Sequence, residues 1–255
     1  METTTTVKVK NSKSKKLNSQ KTNVYVLATG SDGNQVVFEY KGHFLVIDAG
    51  VDYFKGDPEK TEIIYATHYH YDHACYMMDY AKKGYKTNTY LALAIDHFDG
   101  KYFSFDTHYA HHGSGNSYTL VITNKETGEK FLYATDLQYL PNSVIELNQK
   151  YDKVLIEINY CKEKLEEAYK NGTIDYKHYD GKKTHLSFEK FQEQGIINFS
   201  NEFVILHSRK KFLDMDEVNN YFQKHNKKLY FEEVNKRVLT YEEMLEILRK
   251  LQQNN

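Results

Sequence analysis

Three imidazoles and one carboxylate fall within six residues at His68-Tyr69-His70-Tyr71-Asp72-His73. Donors of these types at this density suit a divalent metal held by nitrogen and oxygen together. The stretch follows the apolar run Ile63-Ile64-Tyr65-Ala66 and precedes a helical pattern through Ala74, Met77, Met78 and Ala81 that stops at Gly84. Alternation along an extended chain sends His68 and His70 to one side, so the two converge on one point. Asp72 and His73 come after the bend into the helix and aim at a second point close by. Two metals about 3.5–4 Å apart form a clamp used to hydrolyse phosphate esters. A solvated, His-rich loop is the plainer account of any one of the twelve histidines. It is the poorer account of four donors at a strand-to-helix turn, where α/β proteins place ligands.

The elements that must hold this cluster can be read outward from it. Asn23 to Thr29 alternates as a strand, Gly30-Ser31-Asp32-Gly33-Asn34 is a turn, and Val36–Phe38 is a second strand, so a hairpin is expected, with Gly33 and Asn34 suited to positive φ. Phe44–Ile47 is a buried strand ending in Asp48. Further strand-like segments surround Tyr90-Leu91-Ala92-Leu93 and Tyr102-Phe103-Ser104-Phe105, and three candidate donors follow: His108, His111 and His112. Phe131–Thr135 delivers Asp136, a carboxylate placed either to bridge two metals or merely to cap a strand. Val154–Tyr160 carries Glu157, which either orients the site or pairs with a buried base. An amphipathic helix over 161–170 ends at Asn171-Gly172. The polar segment Thr173–Thr184 is longer than a connection needs, and offers aromatic faces to a base or simply lies exposed. Ser187 caps a helix after His185. Phe203–Leu206 ends in His207-Ser208-Arg209, whose guanidinium suits a phosphate oxygen. A helix through Met215–Phe222, a strand near Leu229–Phe231 and a last amphipathic helix through Met244, Leu245 and Leu248 complete the chain.

With 255 residues, 40% of them apolar, the chain can bury a substantial core. No apolar run reaches the eighteen residues of a membrane span and no signal peptide opens the chain, so a cytoplasmic protein without membrane partners is expected. Cys75 and Cys161 read as reduced, packed thiols. The net charge of −1 is uneven: residues 1–21 carry six lysines against Glu2 alone, +5, which leaves −6 for the remainder. The arm, 1–21, reads as disordered and basic, and 22–255 as one domain. A mildly acidic body is a poor surface for a long polyanion, whose binding rests on many phosphate contacts, whereas a nucleotide needs few.

The pattern His-x-His-x-Asp-His after a strand resembles the metal motif of metallo-β-lactamase fold hydrolases. The overall likeness is greatest to their phosphodiesterases, the phage anti-Pycsar family above all. The resemblance implies an α/β fold, the four-layer αββα sandwich, over residues 22–210 and beyond. It implies two Zn²⁺, with Mn²⁺ the alternative: one held by His68, His70 and a third-station histidine, the other by Asp72, His73 and His207, with Asp136 bridging. In phosphodiesterases of this fold the third-station histidine lies seven residues before an aromatic that opens the next strand, here Tyr118, which selects His111 over His108 and His112. His111-His112-Gly113 departs from the His-Thr-Pro-Gly-His of the lactamase and glyoxalase branches, pointing away from lactams and thioesters. Asp48 supports the metal loop without binding metal. His185-Leu186-Ser187 is similar to the tripeptide whose histidine is the general acid of transfer-RNA-processing nucleases, so the resemblance makes His185 and Asp72 catalytic. Glu157 and Arg209 are the remaining site candidates. The implied activity is hydrolysis of 3′,5′-cyclic mononucleotides by a homodimer, serving phage evasion of bacterial immunity. A single-strand exonuclease or RNase of the same fold, or a nucleotide-sequestering protein, is the alternative.

Overall fold

The computed structural model describes residues 20–88, 95–113 and 115–231. Most of the basic arm, the strand expected at 90–93 and the last helix, through Met244–Leu248, lie outside the described residues. Two sheets form the frame. The first runs β1 (Asn23–Ala28), β2 (Gln35–Tyr40), β3 (His43–Ile47) and β4 (Thr61–Tyr65), antiparallel except for the parallel pair β3 and β4. The expected hairpin is therefore present. Gly33 takes φ +146, but Asn34 does not take a positive φ, so its residue type has another cause.

The second sheet comprises β5 (His97–Asp99), β6 (Phe103–His112), β7 (Gly115–Asn124), β8 (Lys130–Ala134), β9 (Lys153–Glu157), β10 (Glu202–Leu206) and β11 (Lys228–Phe231), in the order β11-β10-β9-β8-β7-β6-β5. Strands β5 to β8 pair antiparallel and β8 to β11 parallel. The inner parallel strands β8, β9 and β10 are apolar on both faces because both faces are covered, whereas edge strand β11 leaves Lys228 and Tyr230 exposed. Leu155 and Leu206 turn toward the first sheet, where they meet Phe38, Leu45, Ile47 and Tyr65. Val154, Ile156, Phe203 and Ile205 turn outward under Phe188, Phe191, Val218 and Phe222 of α6 (Phe188–Glu193) and α7 (Met215–Lys224). Emptying one such site, as in Phe203→Ala, costs about 3–5 kcal/mol.

The outer face of the first sheet is covered by α2 (Met77–Lys82), with Met77 and Tyr80 packed against Val37, Val46 and Ile64. The molecule is thus layered helix, sheet, sheet, helix. The helix expected from Ala74 is in fact two short ones, α1 (Tyr71–Ala74) and α2, interrupted at Cys75 and Tyr76. The 3.6-residue register restarts at Met77, so Met78, whose place in the apolar helical pattern predicts burial beside Met77, is 41% exposed. The remaining helices are α3 (Asn142–Ile145), α4 (Lys162–Lys170) and α5 (Tyr176–Asp180). Ser187 caps α6 as expected, accepting a hydrogen bond from the Lys190 amide.

Candidate metal centre

The strands contribute to the cluster at or just beyond their ends, and the short helix α1 contributes from within. β4 leads into Thr67 and His68, and His70 is the N-cap of α1, at φ −65 and ψ 150. The helix carries Asp72 and buried His73. Three site residues just past the ends of β3, β8 and β10 take left-handed backbone: Asp48 at φ +64, Asp136 at +54 and His207 at +47. This conformation costs non-glycine residues of order 1–3 kcal/mol and clusters at functional sites. Here three strained turns bring their side chains to one place.

The structure brings together His68, His70 and His112 as one group of donors, and Asp72, His73 and His207 as another. Asp136 stands between them. Its Oδ2 is 2.8 Å from His73 Nε2 and 3.7 Å from His207 Nδ1, while Oδ1 is 3.6 Å from His112 Nε2. The third histidine of the first group is His112, not His111. Side chains alternate along β6, so His112 turns to the same side as buried Ala110 while His111 turns to the other. There its ring stacks on Tyr139 at 6.3 Å, away from the donor groups. His108 is spent on Ser143, at 3.0 Å. His112 Nδ1 donates to the Thr184 carbonyl at 2.8 Å, which leaves Nε2 to face the cluster, 3.3 Å from His70 Nδ1.

Two buried carboxylates hold the donors from behind. Asp48 Oδ1 accepts from the Thr67 amide and hydroxyl, and Oδ2 takes His73 Nδ1 at 2.9 Å and the Tyr133 hydroxyl at 2.8 Å. Glu157 Oε1 accepts from the amides of Leu137 and Leu186, and Oε2 lies 3.0 Å from His185 Nδ1 and 3.3 Å from His207 Nδ1. One carboxylate thereby fixes the candidate proton donor and a candidate ligand together. Sequence reasoning missed Asn34. Its side chain is buried, with Nδ2 2.9 Å from His73 Nε2 and 3.2 Å from the Asp72 carbonyl, while Oδ1 accepts from the Gly30 amide. The Gly-Ser-x-Gly-Asn turn is its only signal, and a turn reads equally well as structure.

Charge balance explains how so many ionisable groups share a buried site. Burial alone would lower His73 and His207, yet Asp48 and Asp136 hold His73 well above the ordinary value, and Asp136, Asp72 and Glu157 push His207 up to about 10. Burial would likewise raise Asp136, but the His207 and His73 imidazoles hold it well below the carboxylate range. His68 lacks comparable compensation, and burial beside His73 pushes it down to about 3. Its Nε2 is buried without a hydrogen-bond partner, as is Asp136 Oδ2, which lies close to His73 without hydrogen-bond geometry. Two orphaned donors, one in each kind of group, fit residues built to hold cations. The mixed imidazole and carboxylate set suits zinc, with manganese the alternative.

No protein-family model matches the sequence, and no curated protein matches it. The fold does match solved structures. The metallo-β-lactamase fold protein YhfI from Bacillus subtilis is 15% identical with a TM-score of 0.60, covering 83% of this chain and 97% of its own. The short form of human tRNase Z is 12% identical at 0.53, covering 82% and 95%. Zn²⁺-bound PqqB from Methylobacterium extorquens is 9% identical at 0.61, covering 82% and 97%. The chain has the metallo-β-lactamase fold. Among the described residues, no helix is long and apolar enough to cross a membrane.

Proposed function

We propose that the protein is a dinuclear-metal phosphodiesterase that opens 3′,5′-cyclic mononucleotides to nucleoside monophosphates. The observation that carries this reading is His185. Its ring lies 5.1 Å from that of His112 in one donor group and 5.1 Å from that of His207 in the other, and Glu157 holds its Nδ1. With Nδ1 committed to Glu157, Nε2 is the nitrogen left to pass a proton. A cleaved phosphodiester releases an alkoxide, a poor leaving group that needs such a proton. His68, His70, His112, Asp72, His73, His207 and Asp136 would hold the metals. A bound divalent pair supplies a Lewis acid at the phosphoryl oxygens and lowers the pKa of water.

A nucleotide-sized substrate is supported by the acidic balance of residues 22–255, −6 against the +5 of the arm. By resemblance to the phage anti-Pycsar family, that substrate is an immune signal of a bacterial host, and the protein works in the cytoplasm as a homodimer. The test is to incubate zinc-loaded protein with the 3′,5′-cyclic forms of CMP, UMP, AMP and GMP beside labelled single strands. Conversion of a cyclic nucleotide to its monophosphate is expected. Strand degradation with no cyclic nucleotide consumed would replace this reading by a nuclease, and stoichiometric binding without product by a sequestering protein. Light scattering reads the dimer.

A further inference from the structure

We propose that Arg209 anchors the phosphoryl group of the substrate through its non-bridging oxygens, and that residue 181 is glycine to make room for that guanidinium. The proposal rests on the phosphodiesterase reading and names the group that would hold the scissile phosphate. Arg209 follows His207 by two residues, and the loop between is tied down at both ends. Asn159 Nδ2 donates to the His207 carbonyl at 2.7 Å, and the Arg209 amide donates to the Asn159 carbonyl at 3.0 Å. The guanidinium is half-buried, close enough to Glu157 and Asp136 to feel both charges. Among the described residues it makes no ion pair. Among those residues its side chain makes one hydrogen bond, from Nη1 to the His178 carbonyl at 3.2 Å. A half-buried guanidinium with most of its five N–H groups uncommitted, beside a cluster for phosphate chemistry, is a bidentate anion receptor.

Gly181 supplies an independent observation. Its backbone sits at φ −53 and ψ −19, ordinary helical values open to any residue, so conformation does not require glycine. Space favours it: a Cβ there would lie 3.0 Å from Arg209 Nη2 and 3.1 Å from Nη1, so the guanidinium would have to give way by a few tenths of an ångström. The same residue anchors the turn that delivers the proton donor, its carbonyl accepting from the Thr184 amide at 3.0 Å and the His185 amide at 3.1 Å. Guanidinium and proton donor are therefore referenced to one turn. Once Arg209 holds two non-bridging oxygens, which ester oxygen faces His185 is no longer free.

The test uses zinc-loaded full-length variants matched in metal content and melting temperature. Arg209→Ala should lower kcat/KM on the hydrolysed phosphodiester about 10²–10³-fold, the loss typical of a missing charge-stabilising donor. Arg209→Lys should recover less than about tenfold of that, because a point charge does not replace the fork. Arg209→Gln keeps the aliphatic stem and serves if the alanine variant folds poorly. Gly181→Ala should cost about tenfold alone and nothing further in the Arg209→Ala background, since its effect runs through the guanidinium. Binding of inorganic phosphate, followed calorimetrically, should weaken about tenfold or more in Arg209→Ala. Kinetics and phosphate binding within twofold of the parent would overturn the proposal, as would a Gly181→Ala loss that persists in full without Arg209. If the parent cleaves no phosphodiester, the proposed function fails, while the phosphate titration still decides the role of Arg209.

Discussion

A buried imidazole with one nitrogen tied to a carbonyl has one nitrogen left for a ligand, and His112 is in that state at the edge of the cluster. His111, one residue earlier, has its ring against Tyr139 instead. His112→Ala should therefore lose about one metal equivalent by elemental analysis, and His111→Ala should keep the full complement. Equal loss in both would contradict the assignment. The contiguous donors His68, His70, Asp72 and His73 were legible because their geometry is local, set by a strand and the bend after it. The choice among His108, His111 and His112 was not, because it depends on the phase of a ten-residue strand relative to the cluster, which spacing to Tyr118 does not fix. Asn34 was hidden for a related reason: its partners Asp72 and His73 lie 38 and 39 residues away. Removing its amide in Asn34→Ala should cost about 1–3 kcal/mol in chemical denaturation and about tenfold in metal affinity.

Strand ends, more than strands, build this site. Asp48, Asp136 and His207 each leave a strand of the sandwich in left-handed backbone, so three elements converge through three strained turns. Asparagine tolerates that conformation. Asp136→Asn should thus keep the circular dichroism of the parent while losing metal, separating the carboxylate's charge from its place in the fold. The strands themselves were legible because their apolar runs are dense, and the caps at Ser187 and at Asn171-Gly172 announced their helices. Met78 was misplaced because periodicity alone does not reveal that a helix stops at Ala74 and restarts at Met77.

Across the whole molecule, the ionisable groups of the site set how metal and pH act on stability. In metal-free protein His207, pushed up to about 10, contributes stability that is fully present below its ordinary value near 6.5 and lost as pH rises through about 10. Asp136 and Glu157, both held low by neighbouring imidazoles against the effect of burial, contribute above the ordinary carboxylate range and lose that contribution as pH falls through their folded values. His68, pushed down to about 3 by burial, loses its contribution as pH falls below the ordinary value, so chelated protein should be most stable near pH 6.5, with a melting temperature that falls from pH 7 to 10. Zinc-loaded protein should not show that fall, since bound metal replaces the protons. A scanning calorimeter reads both curves. The central claim, that this fold carries a metal centre with His185 as proton donor to a leaving alkoxide, is tested most directly by the leaving-group dependence of His185→Ala in zinc-loaded form. The variant should lose about 10²–10⁴-fold on a 3′,5′-cyclic nucleotide and little on bis(p-nitrophenyl) phosphate, whose leaving group needs no proton. Equal losses on both, or a parent protein inert toward both, would contradict it.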